Sequence, residues 1–292
     1  MPPARPTVER SQAPSAVSGR LLAVLAALLL APAHAQDEVP FVTSPQPVTL
    51  AMLRLARVQP ADLVLDLGSG DGRIVIAAAK QFGARGLGVE LSPELVQRSR
   101  DNARQAGVAA RAQFRVQDLF DTDLSVASVI TMYLLPEVNL QLRPRLLALR
   151  PGTRIVSHDW DMGPWQPDRT IVVDAPDKPV GLEKKSRLHL WIVPAQFGGQ
   201  WCAAGHGLRL EQTFQMVRGE WTHGSARTDI ESRIEGPAMQ LTAGGDRARL
   251  ALRDDQLKVQ AAGGVWSALR GVVFKRGGEG CRERRRAAHL PQ

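Results

Sequence analysis

The fold is decided by one stretch of the chain, Ala61-Asp62-Leu63-Val64-Leu65-Asp66-Leu67-Gly68-Ser69-Gly70-Asp71-Gly72-Arg73. Residues 61–67 are typical of a buried β-strand, and the pattern from Gly72 to Gln81 predicts a helix. The alternate glycines of the turn allow the backbone to approach a ligand closely, which a Cβ would obstruct. A dinucleotide site needs a further glycine three positions after the second one. Here Arg73 occupies that position, so the motif is Gly-x-Gly-x-Gly, preceded by an acidic residue, Asp66.

The same alternation of strand and helix continues on both sides of this stretch, from about residue 45 to 195. Strands are predicted at 86–91, 114–116, 127–134 and 153–157, and helices at 92–105 and 140–149. Strands that alternate with helices imply right-handed parallel crossovers and therefore an open α/β sheet. The chain after 157 is too short for another strand-helix-strand crossover. Segments 169–174 and 187–193 are therefore predicted to include an antiparallel strand.

The pattern changes to a period of two from about residue 199. Apolar residues alternate with polar ones at Leu208, Leu210, Phe214 and Met216, and again at Ala248, Leu250 and Leu252. Turn signals recur at 244–246, 254–255 and 263–264. This is typical of an antiparallel meander or barrel with one buried face. The predicted domains are an α/β domain at 36–196, a β domain at 199–277 and a basic, mobile tail at 278–292.

The N-terminus predicts export. Three arginines precede the uncharged apolar run 21–30, which ends near Ala33-His34-Ala35. Basic, apolar and small residues in this order form a signal peptide, and a membrane-spanning helix needs about 20 apolar residues. We expect cleavage after Ala35, a periplasmic mature chain and no transmembrane span in it, with a retained anchor as the alternative.

Composition excludes several classes of protein. The chain has 292 residues, 44% hydrophobic and 23% charged, which is ordinary globular usage and excludes a disordered, collagen-like or polytopic membrane protein. The net charge of +8 is spread along the chain and partly terminal, so a nucleic-acid partner is not favoured. Cys202 and Cys281 bracket the β domain, and the sequence leaves open one disulfide or two free thiols.

Three acidic residues lie at the ends of three successive predicted strands: Asp66, Glu90 and Asp118. In an open parallel sheet, ligands bind at the carboxyl ends of the strands. Asp66 suits an ammonium, Glu90 is placed for the two hydroxyls of a ribose, and Asp118 is placed for an adenine amino group. Together with the glycine turn, these residues predict a site for a nucleoside-containing ligand.

These residues resemble the seven-strand, S-adenosylmethionine-dependent methyltransferases over about 40–195. The resemblance implies a Rossmann-like open, mostly parallel seven-strand sheet with helices on both faces. More narrowly, three segments are similar to bacterial relatives of the mitochondrial lysine methyltransferases that act on the ATP synthase c-subunit and the adenine nucleotide carrier. These segments are Val39-Pro40-Phe41-Val42-Thr43-Ser44-Pro45, 66–73 and Met132-Tyr133-Leu134-Leu135-Pro136-Glu137-Val138-Asn139. The β domain lies outside the resemblance.

The resemblance implies S-adenosyl-L-methionine as methyl donor and a protein lysine as the leading acceptor. The implied donor-binding residues are Asp66, Gly68, Ser69, Gly70, Asp71, Gly72, Glu90, Leu91, Asp118, Leu119 and Tyr133. A lysine must lose its proton before it attacks, so a neighbouring acid or tyrosine would assist. The candidate catalytic residues are Tyr133, Glu137 and Asp159.

Some other functions require residues that the chain lacks, and two alternatives remain open. Methylation of base amines needs Asn/Asp-Pro-Pro-Tyr after the fourth strand, and cytosine C5 chemistry needs a cysteine in the α/β domain; the chain has neither. No ligand spacing supports a metal at 158–161. Two alternatives stay open: an exported non-catalytic binding protein, and a small-molecule methyltransferase. Export also conflicts with a donor that is made in the cytosol. The oligomeric state is not predicted.

Overall fold

The computed structural model describes residues 41–277. The predicted leader, the basic tail and Cys281 lie outside the described residues. The helices of the α/β domain are α1 (Gln46–Leu55), α2 (Arg73–Phe82), α3 (Pro93–Gln105) and α4 (Pro136–Leu147). Its strands are β1 (Leu63–Leu67), β2 (Arg85–Glu90), β3 (Ala112–Val116), β4 (Val129–Met132), β5 (Arg154–His158), β6 (Arg169–Asp174) and β7 (Lys185–Ile192).

These seven strands form one sheet in the order β3-β2-β1-β4-β5-β7-β6. β1 pairs in parallel with both β2 and β4, whereas β7 is antiparallel to both β5 and β6. This confirms the predicted mostly parallel seven-strand sheet and its antiparallel strand. The strand order reverses between β1 and β4, and such a switch point is where ligands bind in open α/β sheets.

Neighbouring residues of the central strands pack on opposite faces of the sheet, because successive side chains of a strand alternate. On one face, Val64, Val129 and Val156 pack with α1 and α2. On the other face, Leu65 and Ile130 pack with the buried leucines of α4. Helices therefore cover both faces of the sheet, as predicted.

Two helices differ from their sequence prediction. The sequence did not predict α1, which begins after Pro45 and carries Pro47 in its first turn. α4 begins at Pro136, four residues earlier than expected, because proline suits the first position of a helix. The start of α3 agrees with prediction: the Ser92 hydroxyl caps it by accepting a hydrogen bond from the Leu95 N–H at 3.2 Å.

The β domain is a closed eight-strand antiparallel barrel. Its strands are β8 (Gly199–Ala203), β9 (His206–Thr213), β10 (Met216–His223), β11 (Ala226–Glu235), β12 (Ala238–Ala243), β13 (Asp246–Arg253), β14 (Gln256–Ala262) and β15 (Val273–Arg276). Trp201, Trp266 and Phe274 fill its interior and are fully buried. The predicted inward positions Leu208, Leu210, Ala248 and Leu250 also belong to this core. Cys202 lies on β8.

The period-two prediction is wrong at the turn between β9 and β10. Met216 is 41% exposed. Phe214 has a φ of +53° and packs against the core of the α/β domain rather than that of the barrel. The tight turn between the two strands breaks the alternation, so apolar residues at the two positions do not share a face.

The barrel is joined to the α/β domain by specific contacts. The Phe214 ring stacks on Trp165 with centroids 6.3 Å apart, and the Gln215 amide donates to the Gln166 carbonyl at 2.6 Å. Arg233 forms an ion pair with Asp168 at 2.7 Å. Among the helices of residues 41–277, none combines the length and apolar character needed to cross a bilayer.

Candidate functional site

The predicted site residues lie at the carboxyl ends of β1, β2, β3, β4 and β5, except Glu137, which lies in the first turn of α4. Residues 68–72, the glycine loop, connect β1 to α2. Gly72 has a φ of +81°, and a Cβ there would lie 2.6 Å from the Phe114 ring. Gly68 has a φ of +72°, and a Cβ there would lie 3.1 Å from Leu134. Side chains are therefore excluded at these two positions by backbone conformation and by space.

The glycine loop is held in place by its neighbours. On α3, the Ser99 hydroxyl donates to the Gly70 carbonyl at 2.7 Å, and the Asn102 amide donates to the Asp71 carbonyl at 3.0 Å. The Asp71 carboxylate pairs with Arg73 at 2.6 Å, and Arg73 also donates to the Ser44 carbonyl at 2.9 Å. These bonds fix the loop against α3 and against the segment that precedes α1.

Asp66 is the buried acid beneath the loop, with 2% of its surface exposed. It accepts a hydrogen bond from the Thr131 hydroxyl at 2.7 Å. Burial raises the pKa of Asp66 to about 8, opposed by the Thr131 hydrogen bond and assisted by the charges of Glu90 and Asp71. No ion pair to Asp66 exists within the described chain, so an ammonium from a ligand would match this carboxyl.

Glu90 ends β2 and binds the loop from its other side. One carboxylate oxygen accepts the Gly70 N–H at 3.0 Å, and the other accepts the N–H groups of Leu91 and Ser92 at 2.9 and 3.1 Å. Each carboxylate oxygen has two lone pairs, so the oxygen that faces Gly70 can accept another donor. The next residue, Leu91, is 65% exposed, so it offers an apolar side chain directly after Glu90.

The residues after β3 extend the same edge. Asp118 is half-buried, and one of its oxygens accepts the Phe120 N–H at 2.7 Å, which caps a short 3-10 helix at 119–121. Leu119 is half-buried, while Phe120 and Val116 are exposed. Apolar and acidic groups thus alternate along this edge, and that is the environment expected of a purine base with an exocyclic amine.

A second group of polar side chains lies beyond β4 and β5: Tyr133, Asp159 and Lys178, called here the polar cluster. The Tyr133 hydroxyl lies 3.5 Å from an Asp159 carboxylate oxygen, and the Lys178 ammonium lies 2.7 Å from the same oxygen. The other Asp159 oxygen accepts the Arg187 N–H at 3.0 Å. Burial, and then the negative charge of Asp159, raise the pKa of Tyr133 to about 12. Tyr133 is therefore a phenol at neutral pH.

His158 packs against the polar cluster. Its ring stacks on Tyr133 with centroids 3.9 Å apart. Its two nitrogens contact the hydroxyls of Ser44 and Ser186, each at 2.8 Å. Burial lowers the pKa of His158 to about 4, opposed by the charge of Asp159 and assisted by that of Lys178. The ring is neutral at pH 7, so its 3.5 Å contact with Asp159 is not an ion pair.

The structure does not bring Glu137 into this cluster. Glu137 is exposed in the first turn of α4, where a negative charge stabilises the helix N-terminus. Within the described part of the chain, no hydrogen bond or ion pair joins it to Tyr133 or Asp159. Near 158–161, as elsewhere in residues 41–277, no group of three or more His, Cys, Asp or Glu side chains could hold a metal ion.

Sequence reasoning missed two supporting residues, Lys178 and Asn139. Lys178 lies in the β6–β7 loop, and no motif marked it. Asn139 is fully buried, and its amide lies 3.3 Å from the Trp160 and Asp161 carbonyls, so it holds the segment after β5. The signal for Asn139 was present, because it ends the motif at 132–139.

The glycine loop and the acidic edge fit S-adenosylmethionine. The buried Asp66, which has no ion-pair partner among residues 41–277, suits the ammonium of its amino-acid part, and the open oxygen of Glu90 suits a ribose hydroxyl. Leu91 and Leu119 offer apolar contact and Asp118 an acceptor for the adenine. Leu134, the neighbour of Tyr133 in the chain, lies close to Gly68, since a Cβ at Gly68 would lie 3.1 Å from its side chain.

The chain is similar to known methyltransferases. A family model described as the ANTKMT methyltransferase domain matches residues 66–169. A protein-lysine N-methyltransferase of Saccharolobus islandicus is 43% identical over 138 residues, which cover 47% of this chain and 86% of that protein. The lysine N-methyltransferase of the ATP synthase c-subunit from Mus musculus is 38% identical over 157 residues, which cover 53% of this chain and 63% of that protein.

A solved structure is also similar in sequence. It is described as an RNA methyltransferase from Salinibacter ruber in complex with S-adenosyl-L-homocysteine. It is 51% identical, with a TM-score of 0.48, and the match covers 53% of this chain and 96% of that one. The barrel at 199–277 lies beyond the residues that the family model matches.

Proposed function

The chain belongs to the family of protein-lysine N-methyltransferases, and on this basis we propose that its α/β domain transfers a methyl group from S-adenosylmethionine to the side-chain amine of a protein lysine. The observation that carries the proposal is a juxtaposition at one edge of the sheet. The glycine loop with Asp66 and Glu90, and a polar cluster suited to an amine, lie at the carboxyl ends of the neighbouring parallel strands β1, β2, β4 and β5.

The donor supplies a methyl group on a positively charged sulfur that is already a good leaving group. The protein therefore has to orient donor and acceptor in line and to exclude water. In this proposal Asp66 and residues 68–72 hold the amino-acid part of the donor. Glu90 with Leu91 holds the ribose, and Asp118 with Leu119 holds the adenine.

On the acceptor side, the lysine amine must be neutral to attack. Asp159 is the carboxylate placed to take its proton, and the Tyr133 phenol orients the amine through its oxygen lone pairs. Tyr133 does not serve as the base, because burial raises its pKa to about 12. Glu137 remains a sequence prediction without support from the geometry.

Transfer of an isotope-labelled methyl group tests this function. The full chain is incubated with methyl-labelled S-adenosylmethionine and a mixture of bacterial proteins, and the labelled residues are identified by peptide mass spectrometry. We expect label on lysine amines, and a loss of at least tenfold with Asp66→Ala. The matched control is Asp174→Asn, an exposed residue at the end of β6, which should leave transfer unchanged.

The same experiment separates the alternative functions. Donor binding without any transfer would favour a binding protein that uses the same cleft. Transfer to metabolites but not to proteins would favour a small-molecule methyltransferase. Label on nucleic acid or on residues other than lysine would contradict the proposal.

Export forms a further part of the proposal. We propose that residues 1–35 direct the chain to the periplasm and are removed after Ala35, on the basis of their basic, apolar and small-residue order. The N-terminal sequence of the protein recovered from periplasmic and cytosolic fractions tests this. A periplasmic chain that begins at Gln36 is expected, and a cytosolic chain that keeps residues 1–35 would contradict it.

A further inference from the structure

The β6–β7 loop, residues 175–184, directs one of its lysines into the polar cluster. The loop is closed at its base by the Ala175 N–H, which donates to the Lys184 carbonyl at 2.8 Å. Within it, the Lys178 N–H donates to the Ala175 carbonyl at 3.0 Å, and the Lys184 ammonium donates to the Lys178 carbonyl at 2.9 Å. These bonds form a compact turn that fixes the direction of the Lys178 side chain.

The Lys178 side chain is only 12% exposed, whereas the neighbouring Lys184 and Lys185 are exposed. Its ammonium donates to Asp159 at 2.7 Å and to the Lys185 carbonyl at 2.8 Å. Burying an ammonium costs free energy that a single ion pair barely offsets. The ion pair places an amine against the carboxylate that the proposed mechanism uses.

The position of Asp159 connects Lys178 to the donor side of the site. Asp159 has a φ of +63°, a conformation that non-glycine residues rarely adopt. In this conformation its shared oxygen lies between the Lys178 ammonium and the Tyr133 hydroxyl. Tyr133 precedes Leu134, whose side chain lies close to Gly68 of the glycine loop. Lys178 is thus an amine already paired with the carboxylate that takes the acceptor's proton in the proposed reaction.

We propose that Lys178 is a methylation site of this chain, modified by the chain's own α/β domain. The inference rests on the proposed function. One ammonium proton of Lys178 passes to Asp159 and from there to solvent. The amine lone pair then forms the C–N bond as the C–S bond of the donor breaks, and S-adenosylhomocysteine leaves. The product is an N-methyl ammonium that keeps the positive charge.

The hydrogen bonds of Lys178 set the extent of modification. Its ammonium has three N–H donors, and two of them bind Asp159 and the Lys185 carbonyl. One methyl group can replace the third N–H and leave both bonds intact. A second methyl group would remove one of these bonds, so we infer that the product is monomethyl-lysine.

Mass spectrometry of the purified full chain tests the inference. The chain is incubated with methyl-labelled S-adenosylmethionine and no other protein, and peptides that contain residue 178 are examined for methyl groups acquired in the cell or from the label. We expect one methyl group on Lys178, absent from Lys178→Arg and from Asp66→Ala. Lys184→Arg is the matched control in the same loop and should retain it.

The kinetics test whether the methyl group is transferred within one chain and not between two chains. The fraction of Lys178 methylated per unit time should not change over a tenfold range of protein concentration, and circular dichroism shows whether each variant is folded. An unmodified Lys178, a rate that rises with protein concentration, or dimethylation as the main product would overturn the inference. If other proteins are methylated in a parallel reaction while Lys178 is not, the proposed function stands and only this inference fails. If the folded chain neither binds the donor nor transfers a methyl group, both fail.

Discussion

At the scale of single residues, two buried acids, one just before β1 and one within it, have environments that shift their pKa values in opposite directions. Asp66, at the carboxyl end, has a raised pKa because burial is not offset by a cation. At Asp62, before the amino end of the strand, burial is outweighed by hydrogen bonds from the Ser128 hydroxyl, the Gln59 N–H and Arg154, so its pKa is lowered. We take the first as a ligand-binding acid and the second as a structural one.

Asp66→Asn should make the stability of the ligand-free protein less dependent on pH. A carboxyl with a raised pKa in the folded state favours folding below its unfolded pKa and loses that contribution as pH rises to about 8. As pH rises from about 4 to 8, the parent chain should lose stability that the variant keeps. The free energy of unfolding of the variant relative to the parent should therefore rise across this range, by on the order of a few kcal/mol. Urea unfolding at pH 5 and pH 8 measures this, and a difference that does not change with pH would contradict it.

Asp62→Asn should show the opposite dependence. A lowered pKa contributes stability that is present above the unfolded pKa of about 4 and is lost as pH falls through the lower folded value. Because the partly buried Arg154 would lose its ion-pair partner, we expect a loss of about 1–3 kcal/mol at pH 7. The loss should shrink below pH 4 in the same unfolding series. An equal loss at pH 3 and pH 7 would exclude this explanation.

Tyr133→Phe tests whether the phenol orients the acceptor or acts as a base. If it orients, kcat for lysine methylation should fall by about tenfold, equivalent to one hydrogen bond of about 1.4 kcal/mol. The shape of the pH–rate profile should stay the same, because the raised pKa of Tyr133 keeps it protonated. Loss of an ionisation from the profile would instead identify Tyr133 as the base.

At the scale of elements, the site residues are held in position by the connections that follow the strands as much as by the strands themselves. The glycine loop is fixed by α3, and the segment after β5 is fixed by Asn139 of α4. Asp159 lies at the start of that segment with a φ of +63°. A left-handed residue with a Cβ costs about 1–2 kcal/mol, so the position of Asp159 is kept by its contacts with Arg187 and Lys178.

Asp159→Gly should therefore be more stable than Asp159→Ala, although both remove the same side-chain contacts. Glycine adopts the left-handed conformation without strain, and its greater freedom in the unfolded chain offsets part of this gain. We expect a difference of about 0.5–1 kcal/mol in the free energy of unfolding, measured by urea at pH 7. Equal stability of the two variants would show that the backbone relaxes at this position.

Hydrophobic patterns and glycine spacing predicted most of the elements that build the site. The apolar runs of β1 and β2 and the Ser-Pro-Glu start of α3 gave a clear local signal. The helix α1 was missed because its prolines resemble a loop. Lys178 could not be predicted, because its role depends on a loop that returns to a strand end 19 residues earlier in the chain.

At the scale of the whole molecule, the barrel and the α/β domain share a junction. Phe214 and Met216 follow the same sequence pattern, yet only Phe214 packs at the junction, whereas Met216 is exposed. Period-two alternation could not separate them, since it describes the strands and not the turn between them. The ion pair of Arg233 with Asp168 across the junction likewise could not be predicted from the sequence, because the two residues are far apart in the chain.

Phe214→Ala should weaken the junction, and Met216→Ala serves as its control. Removing the Phe214 ring, which packs on Trp165, should cost about 1–3 kcal/mol. It should also separate urea unfolding of the two domains into two steps, followed by circular dichroism and by tryptophan fluorescence. Met216→Ala should unfold like the parent chain. The same behaviour in both variants would contradict the assignment of Phe214 to the junction.

The central claim is that the glycine loop and Asp66 form the binding site of the methyl donor. Calorimetric titration of S-adenosylmethionine into the full chain tests it most directly, with Asp66→Ala and the exposed Asp174→Asn measured alongside. We predict a Kd in the micromolar range for the parent chain and for Asp174→Asn, and binding at least tenfold weaker for Asp66→Ala, a loss of about 1.4 kcal/mol or more. A folded parent chain that does not bind the donor, or an Asp66→Ala variant that binds it equally well, would contradict the claim.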